Sequence, residues 1–274
     1  MKPVSFLPPF LRRRLFAPVV PVVRIHGPIG RVPLQRGMAG PDQLEGALAR
    51  AFTLRRAPAV ALSIDSPGGT PTRAWTLAAR IRELAERHRK PVLAFAGDVA
   101  ASGAYWVACA ADEIVAAPTS IVGGVGVITA GFGFPALLER LGIERRVHAR
   151  GRYKDFLDPF RPEDPEHVAV LEEIHADLLA EFVAFVRGRR GERLRLEEAE
   201  LASGRVWTAR RALELGLVDA LGHLHGELER RFGEEVRIWV VNPPRVPWFA
   251  PLRLRLKAAP GDALAGLLAR GPLA

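Results

Sequence analysis

Short β-branched runs alternating with longer stretches of helical spacing predict an α/β domain built on a largely parallel sheet. Three observations carry that reading. The apolar runs are strand-length, a long segment repeats its large apolar residues at helical intervals, and glycine-rich turns follow the strands where a helix is about to begin. With 274 residues, 49% hydrophobic and 25% charged, the chain can bury one large core and is excluded from the disordered and fibrous classes. In chain order the predicted strands are Val19 to Ile25, Ala59 to Ile64, Val92 to Ala96, Ile114 to Ala117, Val125 to Thr129 and Arg237 to Val241. A helix rich in alanine and arginine follows the second strand, and an apolar helix through Val107 and Ala108 follows the third. The clearest helix runs from Pro165 to Arg187, where Val168, Leu171, Leu178, Phe182 and Phe185 recur at three, four or seven residues and predict a face packed on the core. The expected organisation is a basic apolar tail at 1–18, the α/β domain at 19–241 and a basic apolar extension at 242–274.

The net charge of +9 is carried by the ends. Residues 1–36 hold seven basic side chains and no acidic one, and residues 237–274 hold six basic ones and only Asp262. The middle is mildly acidic, which argues against a nucleic-acid enzyme, whose basic patch would lie near its chemistry. Basic ends with interleaved apolar residues suit peripheral contact with an anionic membrane surface. Arg12, Arg13 and Arg14 interrupt the N-terminal apolar run, its prolines break a helix, and no stretch reaches the roughly 18 apolar residues of a membrane span. Neither a transmembrane helix nor a cleavable signal peptide is expected, which leaves the membrane periphery or the soluble cytoplasm as the expected location. Trp248 and Phe249, set beside alternating leucine and basic residues, fit a membrane interface, an edge strand or a protomer contact equally well. A single cysteine, Cys109, excludes a disulfide framework and a cysteine-based zinc site. His223 and His225 lack a third partner and read as surface residues, so no metal or cofactor is expected.

Four segments carry more than fold information. Asp65-Ser66-Pro67-Gly68-Gly69 lies between an apolar strand and a helix, where exposed N–H groups can cradle a phosphate or an oxyanion, or simply form a turn. Ser102, in DVAASGAYW, has small neighbours and opens a helix, so it is either an N-cap or a nucleophile served by the Gly103 N–H. Gly123-Gly124-Val125-Gly126-Val127 is the third segment. The fourth is Gly151-Arg152-Tyr153-Lys154-Asp155. Only four of the 39 basic residues are lysine, so a lysine at 154 marks a place where arginine does not suffice. Arginine stays charged at any working pH, whereas lysine can act as a general base.

Taken in order, these blocks resemble the signal peptide peptidase A group of Ser-Lys proteases in the ClpP/crotonase-like superfamily. The resemblance runs through VVRIHGPI at Val22 to Ile29, DSPGG, DVAASGAYW, Ala111 to Ile114, GGVGV, GRYKDFLDPFRP and GRVWTARRALELGLVDALG, covering roughly 19–241. The interval of 52 residues between Ser102 and Lys154 matches single-domain bacterial members. The resemblance implies a largely parallel sheet of repeated ββα-type units flanked by helices. It also implies Ser102 as nucleophile, Lys154 as general base, Gly69 and Gly103 as oxyanion donors, and no cofactor. An extended hydrophobic peptide, such as a remnant signal peptide or an unfolded membrane-protein segment, would bind along Gly68, Thr70, Gly123, Gly124 and Val125. Serine and lysine of one site would come from neighbouring protomers of a ring, typically an octamer.

Two departures stand out. Members of the group commonly carry, in the third block, a serine that hydrogen-bonds the lysine, and this chain has Gly124 there, leaving Thr119, Ser120 or a water to take its place. The N-terminal anchor common in the group is not evident. Two other classes are therefore weighed: a weakly active or inactive peptide-binding scaffold, prompted by Gly124, and an acyl-CoA hydratase or isomerase of the wider superfamily, which uses acidic catalysts rather than a Ser-Lys pair.

Overall fold

A computed structural model describes residues 17–30 and 39–242. The basic apolar ends, with Trp248 and Phe249, lie outside the described residues. The described chain runs β1 (Val19–His26), α1 (Pro41–Thr53), β2 (Val60–Ser66), α2 (Pro71–His88), β3 (Val92–Ala101), α3 (Gly103–Ala108), β4 (Glu113–Ala116) and β5 (Ile121–Gly123). It continues through α4 (Pro135–Arg140), α5 (Pro165–Arg190), a 3-10 turn at Gly191–Arg193, α6 (Glu198–Leu201), β6 (Val206–Thr208), α7 (Ala209–Glu214), β7 (Ala220–Leu221), α8 (Leu224–Phe232) and β8 (Arg237–Val240).

Proline opens α1, α2 and α5, where its missing N–H costs nothing and its fixed φ suits the first turn. In α5 the Asp164 carboxylate also accepts the Glu166 N–H at 2.9 Å. Leu44, Ala47, Leu48, Ala51 and Phe52 of α1 are buried at helical spacing, as are Ala74, Leu77, Ala78 and Ile81 of α2. These stripes cover one face of the sheet, presented by Val23, Ile25, Leu62, Ile64, Ala94 and Ile114. On the other face Val20, Val22, Ala61, Leu93, Phe95 and Val115 pack with Leu228 of α8.

The sheet order is β6-β5-β3-β2-β1-β8, with β4 and β7 branching from β3. Every pairing is parallel except β5 with β6. The branch matters for function. Leu93–Ala96 of β3 pairs with β4, whereas Val99–Ala101 pairs with β5. Between those stretches the register against β2 jumps from Ile64–Ala96 to Ser66–Ala100. A Cβ on Gly97 would stand 3.0 Å from Asp65 Cβ, and Asp65 Oδ1 accepts the Val99 N–H at 3.2 Å. This bulge turns the end of β3 from one neighbour to another and sets the direction in which the chain arrives at Ser102.

Five of the six expected strands form. The exception is Val125 to Thr129, which is irregular, while the strand lies earlier, at Ile121–Gly123. Gly123 (φ 100°) and Gly124 (φ 68°) take the chain out of extended geometry, and Val125 is buried without belonging to a strand. Helix α5 extends to Arg190, three residues past its expected end. Only its C-terminal half packs as anticipated, with Phe182, Val183 and Val186 buried, whereas Val168, Leu171 and Leu178 are half-buried and Ile174 is exposed.

The end of α5 is locked electrostatically. Arg190, 2% exposed, donates to both carboxylate oxygens of Asp219 at 2.8 and 2.9 Å and to the Gly216 carbonyl at 2.8 Å. Asp219 also accepts the Ile114 N–H at 2.7 Å, joining helix and sheet. Among the described residues no helix is long and apolar enough to cross a membrane.

Candidate active site

The site is assembled where the bulged end of β3 meets the turn after β2. Ser102 joins β3 to α3 with φ 53° and ψ −128°, a conformation that an L-residue adopts only when its surroundings impose it. Ser102 N–H donates to Gly123 O at 2.8 Å, and its carbonyl accepts the N–H groups of Tyr105 and Trp106 at 2.9 and 3.1 Å. The backbone is thus fixed on both sides. The residue occupies the N-cap position, yet its hydroxyl makes no capping bond and has no partner among the described residues. The alternative reading of Ser102 as a helix cap is thereby set aside.

Gly68 and Gly69 come up against this turn. A Cβ on Gly68, at φ 99°, would lie 2.7 Å from Gly103 N and 2.8 Å from Ser102 Cβ. One on Gly69 would lie 1.8 Å from Ile29 O. Only glycine permits the approach. The turn is tied down by Gly68 N–H to Ser66 Oγ (3.1 Å), Ile29 N–H to Gly68 O (2.7 Å) and Thr70 N–H to Ile29 O (2.8 Å). Those bonds leave the Gly69 N–H without an acceptor among the described residues, and the same holds for Gly103. A Cβ on Gly103 would be 3.3 Å from Gly69 N, so the two open donors adjoin one another beside Ser102. That is the arrangement an oxyanion needs.

The third segment forms the other wall. A Cβ on Gly124 would lie 3.1 Å from Ser102 N, which places this position against the candidate nucleophile. A Cβ on Gly123 would strike the Trp207 ring at 2.7 Å. The Gly124 N–H donates to Arg205 O and the Val125 carbonyl accepts the Gly204 N–H, at 2.8 and 2.9 Å. The expected open strand edge from Gly123 to Val125 is therefore largely occupied by β6 and the two residues before it, Gly204 and Arg205. Only the Gly124 carbonyl and the Val125 N–H lack a partner among the described residues.

Lys154 lies in a turn at 151–157, exposed, with its N–H donating to Gly151 O at 3.3 Å. Its ammonium has no partner among the described residues, and no bond joins it to Ser102 within one chain. Neither hydroxyl considered as a replacement for the missing serine bonds Lys154 among the described residues. Thr119 is exposed in the turn before β5, and buried Ser120 directs Oγ to Ala96 O at 3.5 Å, at the end of β5 remote from Gly123. The turn belongs to an arm between β5 and α5 whose apolar side chains face outward: Ile128 is 85% exposed, Phe132 82% and Leu141 62%. A cleft of about 1220 Å³ on this arm, between Thr129–Pro135 and Asp155–Pro165, contains neither Ser102 nor the open amides.

Other candidate groups fall away. Burial pushes the Cys109 thiol up to about 12, which removes it as a nucleophile near neutrality. His223 accepts the Gly226 N–H at 3.3 Å and caps α8, a role the sequence reading did not assign.

A sodium/proton antiporter NhaA of Brucella abortus is 44% identical over 228 residues, 82% of this chain and 31% of that protein. The chloroplastic serine protease SPPA of Arabidopsis thaliana is 33% identical over 213 residues, 75% of this chain and 31% of that one. The chain thus spans about a third of the length of these curated relatives. A solved structure of a variant of the 1510-N membrane-bound stomatin-specific protease, in complex with a substrate peptide, superposes with a TM-score of 0.53 at 17% identity, over 89% of this chain and all of that one, and supports the ClpP/crotonase-like fold. The sequence profile of peptidase family S49 matches residues 85–231, more than half of the chain, and takes in the Ser102 turn, the Gly123-Gly124 wall and Lys154. By that match the chain belongs to peptidase family S49.

Proposed function

We propose that this protein is a serine endopeptidase in which Ser102 and Lys154 form the catalytic dyad. The observation that carries the reading is the Ser102 turn, where a hydroxyl without a partner stands beside two open amide donors, Gly69 and Gly103. In the acylation step Ser102 Oγ forms a bond to the scissile carbonyl carbon while its proton passes to neutral Lys154 Nζ. The carbonyl oxygen gains the negative charge between the two N–H groups. Collapse breaks the C–N bond, and Lys154 returns its proton to the leaving amine. Water then repeats the sequence on the acyl-serine, with Lys154 again taking a proton.

The exposed arm supports a reading in which the lysine comes to the serine of another copy. Lys154 meets no acceptor among the described residues and sits on an outward apolar surface, so the base would be delivered to Ser102 of a neighbouring copy in a ring, an octamer by resemblance. The substrate is a hydrophobic peptide bound extended, using the open Gly124 carbonyl and Val125 N–H on one side and the segment at Gly68–Thr70 on the other. Peripheral contact with an anionic membrane through the basic ends would bring such peptides close. A fluorophosphonate probe tests the reading: mass spectrometry is expected to find the label on Ser102, and folded protein that stays unlabelled at Ser102 overturns it.

A further inference from the structure

The loop that carries Lys154 has little backbone to hold it. Between α4 and α5 it joins no strand; one long-range bond, Phe134 N–H to Pro159 O (2.6 Å), holds its far end, and the bonds nearest the lysine are single turns such as Lys154 N–H to Gly151 O (3.3 Å) and Asp158 N–H to Asp155 O (3.1 Å). Arg145 donates to the buried Asp158 carboxylate at 2.6 Å, four residues past the lysine, whereas the pairs closer to it, Arg152 with Glu166 and Arg161 with Asp155, put largely exposed guanidiniums on carboxylates, and such pairs contribute little. A catalytic amine needs better placement, because a displacement of about 1 Å can cost about a hundredfold in rate.

One buried ring supplies it. His167 is 8% exposed, and its imidazole lies 5.6 Å from the Tyr153 ring and 5.4 Å from the Phe156 ring, inclined at 54° and 46°. Both distances and tilts suit aromatic contact. Tyr153 precedes Lys154 and Phe156 follows it by two residues, so a single side chain grips the turn on either side of the amine. His167 is itself held. It is the third residue of α5, behind the Asp164 cap and Pro165, and about four turns further along the same helix Phe182 enters the core. The helix beyond Phe182 ends in the Arg190–Asp219 lock, so the position of the turn is referred to the sheet through one rigid rod.

We propose that His167 is the positioning residue of Lys154, clamping Tyr153 and Phe156 so that the amine reaches the hydroxyl it deprotonates. This rests on the reading of Lys154 as the base, and the test separates the two. The full-length, assembled protein is compared with its His167→Ala, His167→Phe and Lys154→Ala variants by kcat and KM on an apolar peptide, rate of fluorophosphonate labelling, and melting temperature. With His167→Ala, kcat and labelling rate are expected to fall together by about tenfold or more while KM stays within about twofold, the signature of a misplaced base rather than of lost binding. His167→Phe, which keeps a ring in the clamp, is expected to recover most of that loss. In the Lys154→Ala background, His167→Ala should cost nothing further, because the group it positions is gone. If Lys154→Ala is inactive but His167→Ala keeps the parent kcat, the clamp is refuted and the dyad stands. If Lys154→Ala keeps parent activity, the dyad reading itself fails. Should His167→Ala melt early or lose its assembly, Phe156→Leu, which removes one ring of the clamp, is read by the same kcat and KM split, and an unchanged kcat there also refutes the proposal.

Discussion

At Ser102 the left-handed backbone and the hydroxyl are separable. Ser102→Ala leaves the hydrogen bonds to Gly123, Tyr105 and Trp106 intact and is expected to abolish peptide hydrolysis with little change in the melting curve. Gly68→Ala attacks the geometry instead. A methyl group there meets Gly103 N and Ser102 Cβ at 2.7 and 2.8 Å in a backbone region that L-residues avoid, so kcat is expected to fall by about tenfold or more although no reacting atom is removed. Retention of full activity by Gly68→Ala would show that the turn has slack the structure does not display. Lys154→Arg is expected to be as inactive as Lys154→Ala, since a guanidinium keeps its proton. An active arginine variant, measured on the same peptide, would remove the lysine from its role as base.

Among the elements, α8 reports on acid stability. Hydrogen bonds from Arg230 hold the Glu227 carboxyl down at about 2, against the opposing effect of its burial, and Arg231 adds to the lowering while also pairing with Glu113 of β4. A carboxyl lowered by folding stabilises the native state above its unfolded value, and that contribution disappears as the pH falls through the folded one. Between the ordinary 4.5 and about 2, the parent is therefore expected to lose resistance to urea more steeply than Glu227→Gln. Parallel urea midpoints for the two proteins across that window would contradict the assignment. At α5, burial acts to raise the Asp219 carboxyl, and the hydrogen bonds from Arg190 outweigh it and lower it. Asp219→Ala would leave the Arg190 charge buried and unpaired, at a cost of about 3–5 kcal/mol. Because α5 also carries His167, that loss is expected to reach the Lys154 turn, with activity falling at temperatures where the sheet is still folded.

For the whole molecule, the proposed delivery of Lys154 by a neighbouring copy makes activity depend on assembly, and this can be measured. Monomers are expected to be inactive, and mixing Ser102→Ala with Lys154→Ala subunits should restore part of the activity, since some interfaces then join an intact serine to an intact lysine. Phe132→Asp, on a side chain 82% exposed in the single chain, is expected to lower oligomer mass and activity together. Light scattering alongside the peptide assay reads both. A mixture that stays inactive after confirmed subunit exchange, or an active monomer, would place the dyad inside one chain.

How much of this was legible beforehand depends on where each feature is encoded. Local chemistry determined the long strands, the proline-initiated helices, the DSPGG turn and the singular lysine at 154, because these rest on hydrophobic period, fixed φ and composition over a few neighbouring residues. The order of the blocks was enough to point to the family. Strands β6 and β7, three and two residues long, have too little sequence to show a period and exist through their partners. The apolar run from Val125 reads as a strand, but two positive-φ glycines just before it, one packed under Trp207, redirect the chain. The fork in β3, the imposed φ of Ser102 and the open donors on Gly69 and Gly103 depend on which groups other segments have already taken as hydrogen-bond partners. His167 lies 13 residues from Lys154, and its tie to the Lys154 turn appears only once α5 is anchored in the core. Spacing along the chain selects which residue types are present; which of their polar groups remain unpaired, and at what angle they face one another, is decided by contacts between distant segments, and so by the tertiary structure alone.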